Sequence, residues 1–227
     1  MLKDILYKHN AIGNADLTAP ANHAVSTLLE FIEKRIGGFR NYYMSFSSSD
    51  KENFITNNLV NYFNSWLSDD TAGYIPYKFS FQKNPAQEDS AKETDVGIYI
   101  LNTSTPTNTI FEFEAKRLSD SSNNTEYVYG DRGGIERFKR NQHANHLNRA
   151  GMFGYIQSNN VLHWLGKINE WITKCSSEST DDIEWTKPEE KLSLEVSEST
   201  INKYKSLNSR RNNQPILLSH YFIDLTS

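Results

Sequence analysis

Hydrophobic residues recur along this chain with two different spacings, which predict helices in some segments and strands in others. Four segments place apolar residues three or four positions apart, the spacing of an amphipathic helix. The predicted helices span residues 18–36, 49–67, 134–147 and 161–173. Other segments alternate apolar and polar residues or are apolar throughout, as strands are. The predicted strands span residues 77–82, 95–101, 109–118, 152–157, 192–196 and 216–225.

The order of these elements predicts an α/β protein. From the second helix onward the order is helix, three strands, helix and strand, or αβββαβ. Consecutive strands followed by a helical crossover and one more strand predict a mixed central sheet flanked by helices. The length of 227 residues suits a single domain. We expect its core at about residues 49–157, preceded by an N-terminal helix and followed by a C-terminal extension at about residues 176–227.

Composition and charge narrow the class of protein. The net charge is −4, whereas a dedicated nucleic-acid binder is usually basic. If the protein binds phosphate groups, a local basic surface has to bind them. The single cysteine, Cys175, excludes a disulfide framework within the chain and fits a reducing compartment. No segment has the features of a signal peptide or the apolar length of a membrane span. We therefore expect a soluble, cytoplasmic protein with no membrane partner.

The third predicted strand, TIFEFEAKRL, carries the residues with the clearest chemical potential. Alternation along this strand separates Ile110, Glu112, Glu114 and Lys116 on one face from Phe111, Phe113 and Ala115 on the other. A solvated charged face is the ordinary interpretation of such a pattern. However, like charges two residues apart cost stability unless a cation lies between them. The neighbouring predicted strand also begins with an acid, Asp95, so two carboxylates and an ammonium group are expected on adjacent strands.

Hydrolysis of a phosphodiester needs this set of groups. The reaction activates a water molecule and neutralises the charge that grows on the phosphate oxygens. Two carboxylates on adjacent strands can bind Mg²⁺, which lowers the pKa of a bound water and polarises the phosphate. A neighbouring lysine can orient the nucleophile or stabilise the transition state as a point charge.

The stretch KETDVGIYIL, an eight-residue polar loop and the stretch IFEFEAKRL together resemble the PD-(D/E)xK, or restriction endonuclease-like, nuclease superfamily. The resemblance spans about residues 49–157 and implies a restriction endonuclease-like fold with an αβββαβ core. It implies that Asp95, Glu114 and Lys116 are catalytic. It also implies that Mg²⁺ or Mn²⁺ binds to Asp95, Glu114 and the backbone carbonyl of Ala115. Thr94 stands where the family often has proline.

Two further residues are candidates for the same site. Many members of the family carry an acid on the helix before the sheet, and Glu52 would supply this metal ligand and catalytic group. The alternative is that Ser49 and Glu52 form a capping box at the start of that helix, and the sequence favours neither. In similar nucleases a polar residue on the helix after the motif lies over the active centre, and Gln142 is placed for that role.

The predicted helix 134–147 is rich in basic residues. Arg137, Lys139 and Arg140 are candidates for contact with nucleic-acid phosphates, although a solvated basic face is the commoner origin of such a pattern. His143 and His146 lack the spacing of a zinc protease motif and are interpreted as surface histidines.

The function expected from the resemblance is metal-dependent hydrolysis of nucleic acid. A DNA endonuclease that acts on double-stranded DNA in restriction, defence or repair is the leading hypothesis. Many relatives act as homodimers because two strands need two active centres, and the sequence leaves the oligomeric state of this chain open. An RNA-directed nuclease would use the same residues. The alternative from another class is a non-catalytic module that keeps the fold and binds nucleic acid or a protein partner. The intact set of Asp95, Glu114 and Lys116 favours the enzyme.

Overall fold

A computed structural model gives the fold of the chain. It describes residues 19–45, 50–68, 77–84, 94–101, 108–130, 132–178, 183, 185, 188–198, 201–211 and 214–226. The α-helices are α1 (Ala19–Ile36), α2 (Phe39–Met44), α3 (Glu52–Leu67), α4 (Gly134–Lys139) and α5 (Val161–Glu178). The strands are β1 (Phe79–Lys83), β2 (Val96–Ile100), β3 (Phe111–Leu118), β4 (Arg149–Ile156), β5 (Ser193–Glu198), β6 (Ile201–Asn208) and β7 (Ile216–Asp224). Short 3₁₀ turns occupy Asn124–Tyr127 and Pro188–Glu190.

The seven strands form one mixed sheet in the order β1-β2-β3-β4-β7-β6-β5. The three central strands β3, β4 and β7 are parallel, and the outer strands pair antiparallel on both sides. The predicted α/β class with a mixed sheet flanked by helices is confirmed. The order αβββαβ is found from α3 to β4.

Both faces of the sheet are covered, because the central strands bury both sets of alternating side chains. On β3, Phe111, Phe113 and Ala115 belong to the core formed with α1, α2 and α3. Leu118 of the same strand belongs to the core on the opposite face, which includes residues of α4 and α5. The strand is buried along almost its whole length, so Glu112, Glu114 and Lys116 are enclosed and do not form a solvated face.

A glycine on β4 lets that strand pack closely beside β3. A Cβ atom at Gly151 would lie 2.2 Å from the ring of Phe113. The ring of Phe113 instead stacks on that of Phe153, with centroids 4.2 Å apart. This contact fixes β3, and with it the residues between Phe113 and Leu118, against the centre of the sheet.

The helix predicted for residues 134–147 is wrong beyond Lys139. Asn141 and Ala144 have positive φ values of 57° and 49°, a backbone conformation that an α-helix does not contain. The carboxylate of Glu112 accepts a hydrogen bond from the amide of Ala144 (3.0 Å), and Arg210 donates to the carbonyl of Ala144 (3.0 Å). Contacts with two distant residues thus hold the turn in a non-helical form.

The C-terminal part of the chain contributes more to the sheet than its pattern predicts. β6 is absent from the predicted strands, and β5 and β7 were expected in an extension. In the structure β7 pairs with the central strand β4 over eight residues, and β6 and β5 follow it to the edge of the same sheet. Among the described residues, no helix combines the length and the apolar character needed to cross a membrane.

Candidate active site

Two acids occupy the edge of β3 at the point where β2 leaves it. β2 pairs with β3 at three positions, and the last pair ends at Phe113. Beyond it, the amide of Ala115 donates to Oδ2 of Asp95 (2.7 Å), and the amide of Arg117 donates to Oε2 of Glu52 (3.0 Å). Carboxylates therefore replace the missing strand as hydrogen-bond acceptors, because backbone amides in a buried position need a partner.

Glu114 lies on β3 just before the two amides that these acids bind, and it is 1% exposed. Its Oε1 accepts hydrogen bonds from Nζ of Lys116 (2.7 Å) and from Nη1 of Arg137 (3.0 Å). Its Oε2 is buried and has no hydrogen-bond partner among the described residues, while Nε2 of His143 lies 3.9 Å from it. Nζ of Lys116 is also 4.0 Å from Oε1 of Glu52. The structure thus brings together Asp95, Glu114, Lys116 and Glu52.

The charges in this cluster shift one another's pKa values. Burial, together with the negative charge of Glu114, raises the pKa of Asp95 to about 7, although Lys116 and the Ala115 amide oppose the shift. Burial also raises the pKa of Glu52. For Lys116, burial lowers the pKa, but the carboxylates of Glu114, Glu52 and Asp95 outweigh it and raise the pKa overall. The lysine is therefore an ammonium ion at neutral pH and acts as a positive charge, not as a base.

The acids fit a divalent cation that keeps several water ligands. In the described part of the chain, no group of three or more His, Cys, Asp or Glu side chains is arranged to hold a metal ion. The half-buried Asp95 and the buried Glu114 nevertheless repel one another, a cation would relieve this repulsion, and Oε2 of Glu114 is an acceptor with no hydrogen-bond partner among the described residues. Two carboxylates with water and a substrate oxygen match the coordination of Mg²⁺. The carbonyl of Ala115 as a further ligand stays a prediction.

The basic residues of the predicted helix 134–147 have three different environments. The prediction that Lys139 contacts phosphates is wrong, because Lys139 is fully buried and its Nζ donates to Oε1 of Glu190 (2.5 Å). Arg140 is half-buried and its Nε pairs with Oε1 of Glu136 (2.7 Å). Only Arg137 reaches the acid cluster, and it does so through Glu114. A helix of six residues spreads these side chains over different surroundings, which sequence spacing alone does not reveal.

Three other predicted residues have definite positions. The assignment of His143 to the surface is wrong, since it is fully buried beside Glu114. His146 is half-buried, and its Nε2 is 3.2 Å from the hydroxyl of Thr109. Gln142 lies in the turn after α4, where its amide donates to the carbonyl of Arg137 (2.9 Å), and its place over the active centre stays a prediction.

The structure bears on whether Glu52 caps α3 or belongs to the acid cluster. Ser49 lies outside the described residues. The residue before the first turn of α3 is Lys51, whose side chain makes no capping hydrogen bond. The carboxylate of Glu52 instead accepts a hydrogen bond from the amide of Arg117, next to Lys116, so Glu52 contributes its charge to the cluster.

A basic rim, which no sequence pattern predicts, lies at the beginning of α3. We define it as Lys51, Lys83 and Arg117. Lys83 donates to the carbonyl of Asn53 (3.4 Å), and Arg117 donates to the carbonyl of Asp50 (2.9 Å). The three residues come from segments far apart in the chain, so no local charge pattern marks them. Comparison with models of known protein families, with curated proteins and with solved structures finds no match.

Proposed function

We propose that this chain is a metal-dependent nuclease of the PD-(D/E)xK, restriction endonuclease-like kind that hydrolyses phosphodiester bonds in DNA. The observation that carries the proposal is the position of Asp95, Glu114 and Lys116 at the end of the β2–β3 pairing. Asp95 accepts a hydrogen bond from the β3 backbone at Ala115, and Lys116 of β3 donates to Glu114 of the same strand, so two acids and a protonated lysine lie together. The αβββαβ order from α3 to β4 is the order expected of such a core.

Each residue has a role that follows from its charge and contacts. Asp95 and Glu114 would hold Mg²⁺ or Mn²⁺, which when bound supplies a water of lowered pKa and neutralises phosphate charge. The carboxylates raise the pKa of Lys116, so its ammonium group offers positive charge to a phosphate oxygen. Glu52 holds the edge of β3 through the amide of Arg117 and adds negative charge beside Lys116.

The basic rim supports a nucleic acid as substrate in spite of the net charge of −4. Lys51 is exposed, and Lys83 and Arg117 are half-buried, so all three side chains reach solvent near the start of α3. A short cluster of cations beside the acids can bind the phosphates on either side of the cleaved bond. Duplex DNA is the proposed substrate, and internal cleavage of both strands by a homodimer is the proposed mode.

A cleavage assay tests the proposal. Purified protein is incubated with covalently closed plasmid, linear duplex DNA, single-stranded DNA and RNA, each with Mg²⁺, Mn²⁺ or EDTA. We expect cleavage of the closed plasmid that needs the metal. The Lys116→Met variant should cleave about 10²–10³-fold more slowly, the usual loss when one group that stabilises transition-state charge is removed. Lys167→Met is the matched control, because Lys167 is exposed and, within the described part of the chain, forms an ion pair only with Glu170 on its own helix.

The outcomes separate the candidate functions. Cleavage of RNA alone would replace the substrate and keep the chemistry. Binding of DNA without cleavage under every metal condition, with equal behaviour of wild type and Lys116→Met, would contradict the proposal and indicate a non-catalytic module. Cleavage by Lys116→Met at the wild-type rate would place the chemistry at another site.

A further inference from the structure

Arg137 has a position in the acid cluster that a simple contact with the DNA backbone does not explain. Its Nη1 donates to Oε1 of Glu114 (3.0 Å), the same oxygen that accepts from Nζ of Lys116 (2.7 Å). One carboxylate oxygen thus faces two cations. The Nε atom of Arg137 is buried and has no hydrogen-bond partner among the described residues. The guanidinium group therefore lies in the site with a donor that still needs an acceptor.

The backbone around α4 fixes Arg137 at this place. A Cβ atom at Gly133 would lie 2.5 Å from backbone atoms of Tyr129, so the helix begins in close contact with the preceding turn. Gly134 faces Met152, whose partner on β3 is Glu114. The amide of Arg137 itself donates to the carbonyl of Gly133 (3.0 Å). The absence of side chains at two consecutive positions lets α4 approach the sheet beside Glu114.

We propose that Arg137 is a catalytic residue, which leaves Glu114 and binds the non-bridging oxygens of the phosphate undergoing cleavage. The inference rests on the proposed nuclease function. A divalent cation on Oε2 of Glu114, the oxygen that has no hydrogen-bond partner among the described residues, would reduce the negative charge that holds Arg137 at Oε1 and would favour release of the arginine. A guanidinium group offers planar donors that match phosphate oxygens, and the unused Nε gains an acceptor in the same step.

The chemistry assigns Arg137 no proton transfer. A water oxygen bonds to phosphorus and loses a proton to solvent, the bond to the leaving sugar oxygen breaks, and that oxygen takes up a proton. Arg137 stays protonated throughout and stabilises the negative charge that increases on the phosphate oxygens. Lys139 at the end of α4 and Arg140 directly after it lack this freedom, because Lys139 is enclosed with Glu190 and Arg140 is paired with Glu136.

The test compares Arg137→Ala and Arg137→Lys with the control Lys167→Ala, which removes an exposed cation of α5. The rate of cleavage is measured in a single turnover with enzyme in excess, and DNA affinity is measured in the Lys116→Met background, where cleavage is slow. For Arg137→Ala we expect a rate about 10²–10³-fold below wild type and an affinity within about threefold. Added guanidinium ion should restore part of the rate to Arg137→Ala and should not raise the rate of Lys167→Ala. Arg137→Lys should retain more rate than Arg137→Ala, since it keeps the charge and loses the planar donors.

Several results would overturn the inference. If Arg137→Ala had an unchanged cleavage rate, a weaker DNA affinity and a salt slope of binding reduced by about 0.9, Arg137 would only bind a phosphate of the DNA backbone. A lower rate that guanidinium does not restore, with a lower free energy of unfolding in urea, would make it a structural partner of Glu114. If wild type and Arg137→Ala cleave equally, this inference fails alone. If wild type cuts none of the four substrates, the proposed function fails and Arg137 has no reaction to assist.

Discussion

Replacing Lys139 by methionine should lower the free energy of unfolding strongly and leave the affinity for DNA unchanged. Nζ of Lys139 donates to Oε1 of Glu190 (2.5 Å) and to the hydroxyl of Ser209 (3.0 Å), and both charged side chains are 0% exposed. The ammonium group also lies 4.7 Å from the centroid of the Trp185 ring. Methionine fills a similar volume but leaves the carboxylate of Glu190 buried without a cation.

The expected magnitude follows from this enclosure. Removing one partner of a buried ion pair costs about 3–5 kcal/mol, a large part of the roughly 5–15 kcal/mol that stabilises a typical domain. Glu190 keeps its hydrogen bonds from the amide and hydroxyl of Ser209 (3.0 and 2.7 Å), so complete loss of the fold is not expected. The double variant Lys139→Met/Glu190→Gln removes both charges and keeps an acceptor for Ser209. The double variant should lose less free energy of unfolding than the sum of the losses of Lys139→Met and Glu190→Gln, by about 2–3 kcal/mol.

Urea unfolding followed by tryptophan fluorescence and circular dichroism measures these values, with Trp185 as a local probe. Arg140→Gln is the control, because its pair with Glu136 is partly exposed and lies within one helix, where such a pair contributes about 0.3–0.5 kcal/mol. A Lys139→Met protein that unfolds within about 1 kcal/mol of wild type at an unchanged urea slope would refute the reasoning. A DNA-binding salt slope reduced by about 0.9 in the folded variant would show instead that Lys139 contacts a phosphate.

Two further predictions concern pH and metal binding. Burial lowers the pKa of His220 to about 3, and its ring nitrogens contact the hydroxyls of Tyr127 (3.0 Å) and Ser206 (2.8 Å). The unfolded chain takes up this proton near pH 6.5 and the folded chain does not, so stability is lost as pH falls from about 6.5 towards 3. Between pH 8 and pH 5 the free energy of unfolding should fall by about 2 kcal/mol more in wild type than in His220→Gln. Urea unfolding at the two pH values measures both changes, and equal changes in the two proteins would contradict the prediction. Asp95→Asn should weaken Mn²⁺ binding by on the order of tenfold or more in calorimetry, because it removes one of the two acids, and equal affinities would exclude Asp95 as a ligand.

Much of the fold is encoded in local periodicity. The alternation in residues 109–118 predicted a strand that carries acids on one face and aromatic rings on the other, and β3 has this arrangement. The order from α3 to β4 could be predicted because each element has its own apolar period. β6 could not, because its inward positions include Ser206 and Asn208. Ser206 is 2.8 Å from a buried nitrogen of His220, so a polar residue has a buried partner that the local pattern does not show.

Sequence spacing likewise predicted one part of the candidate site and not the other. Sequence spacing alone placed Glu114 and Lys116 side by side, because residues two apart on a strand share a face. It did not distinguish Arg137 from Lys139, which are two residues apart on one short helix. The first reaches Glu114, 23 residues earlier in the chain, and the second is enclosed with Glu190, 51 residues later.

The tertiary structure also decided what covers the acids. The turn after α4 departs from a helix because Glu112 and Arg210 bind the backbone of Ala144, and this turn buries His143 beside Glu114. Periodicity reports the backbone conformation that a residue's near neighbours favour. The partner of a buried charge is chosen by residues that meet only after the sheet has formed, because desolvation makes a charge without a partner costly wherever that partner lies in the chain.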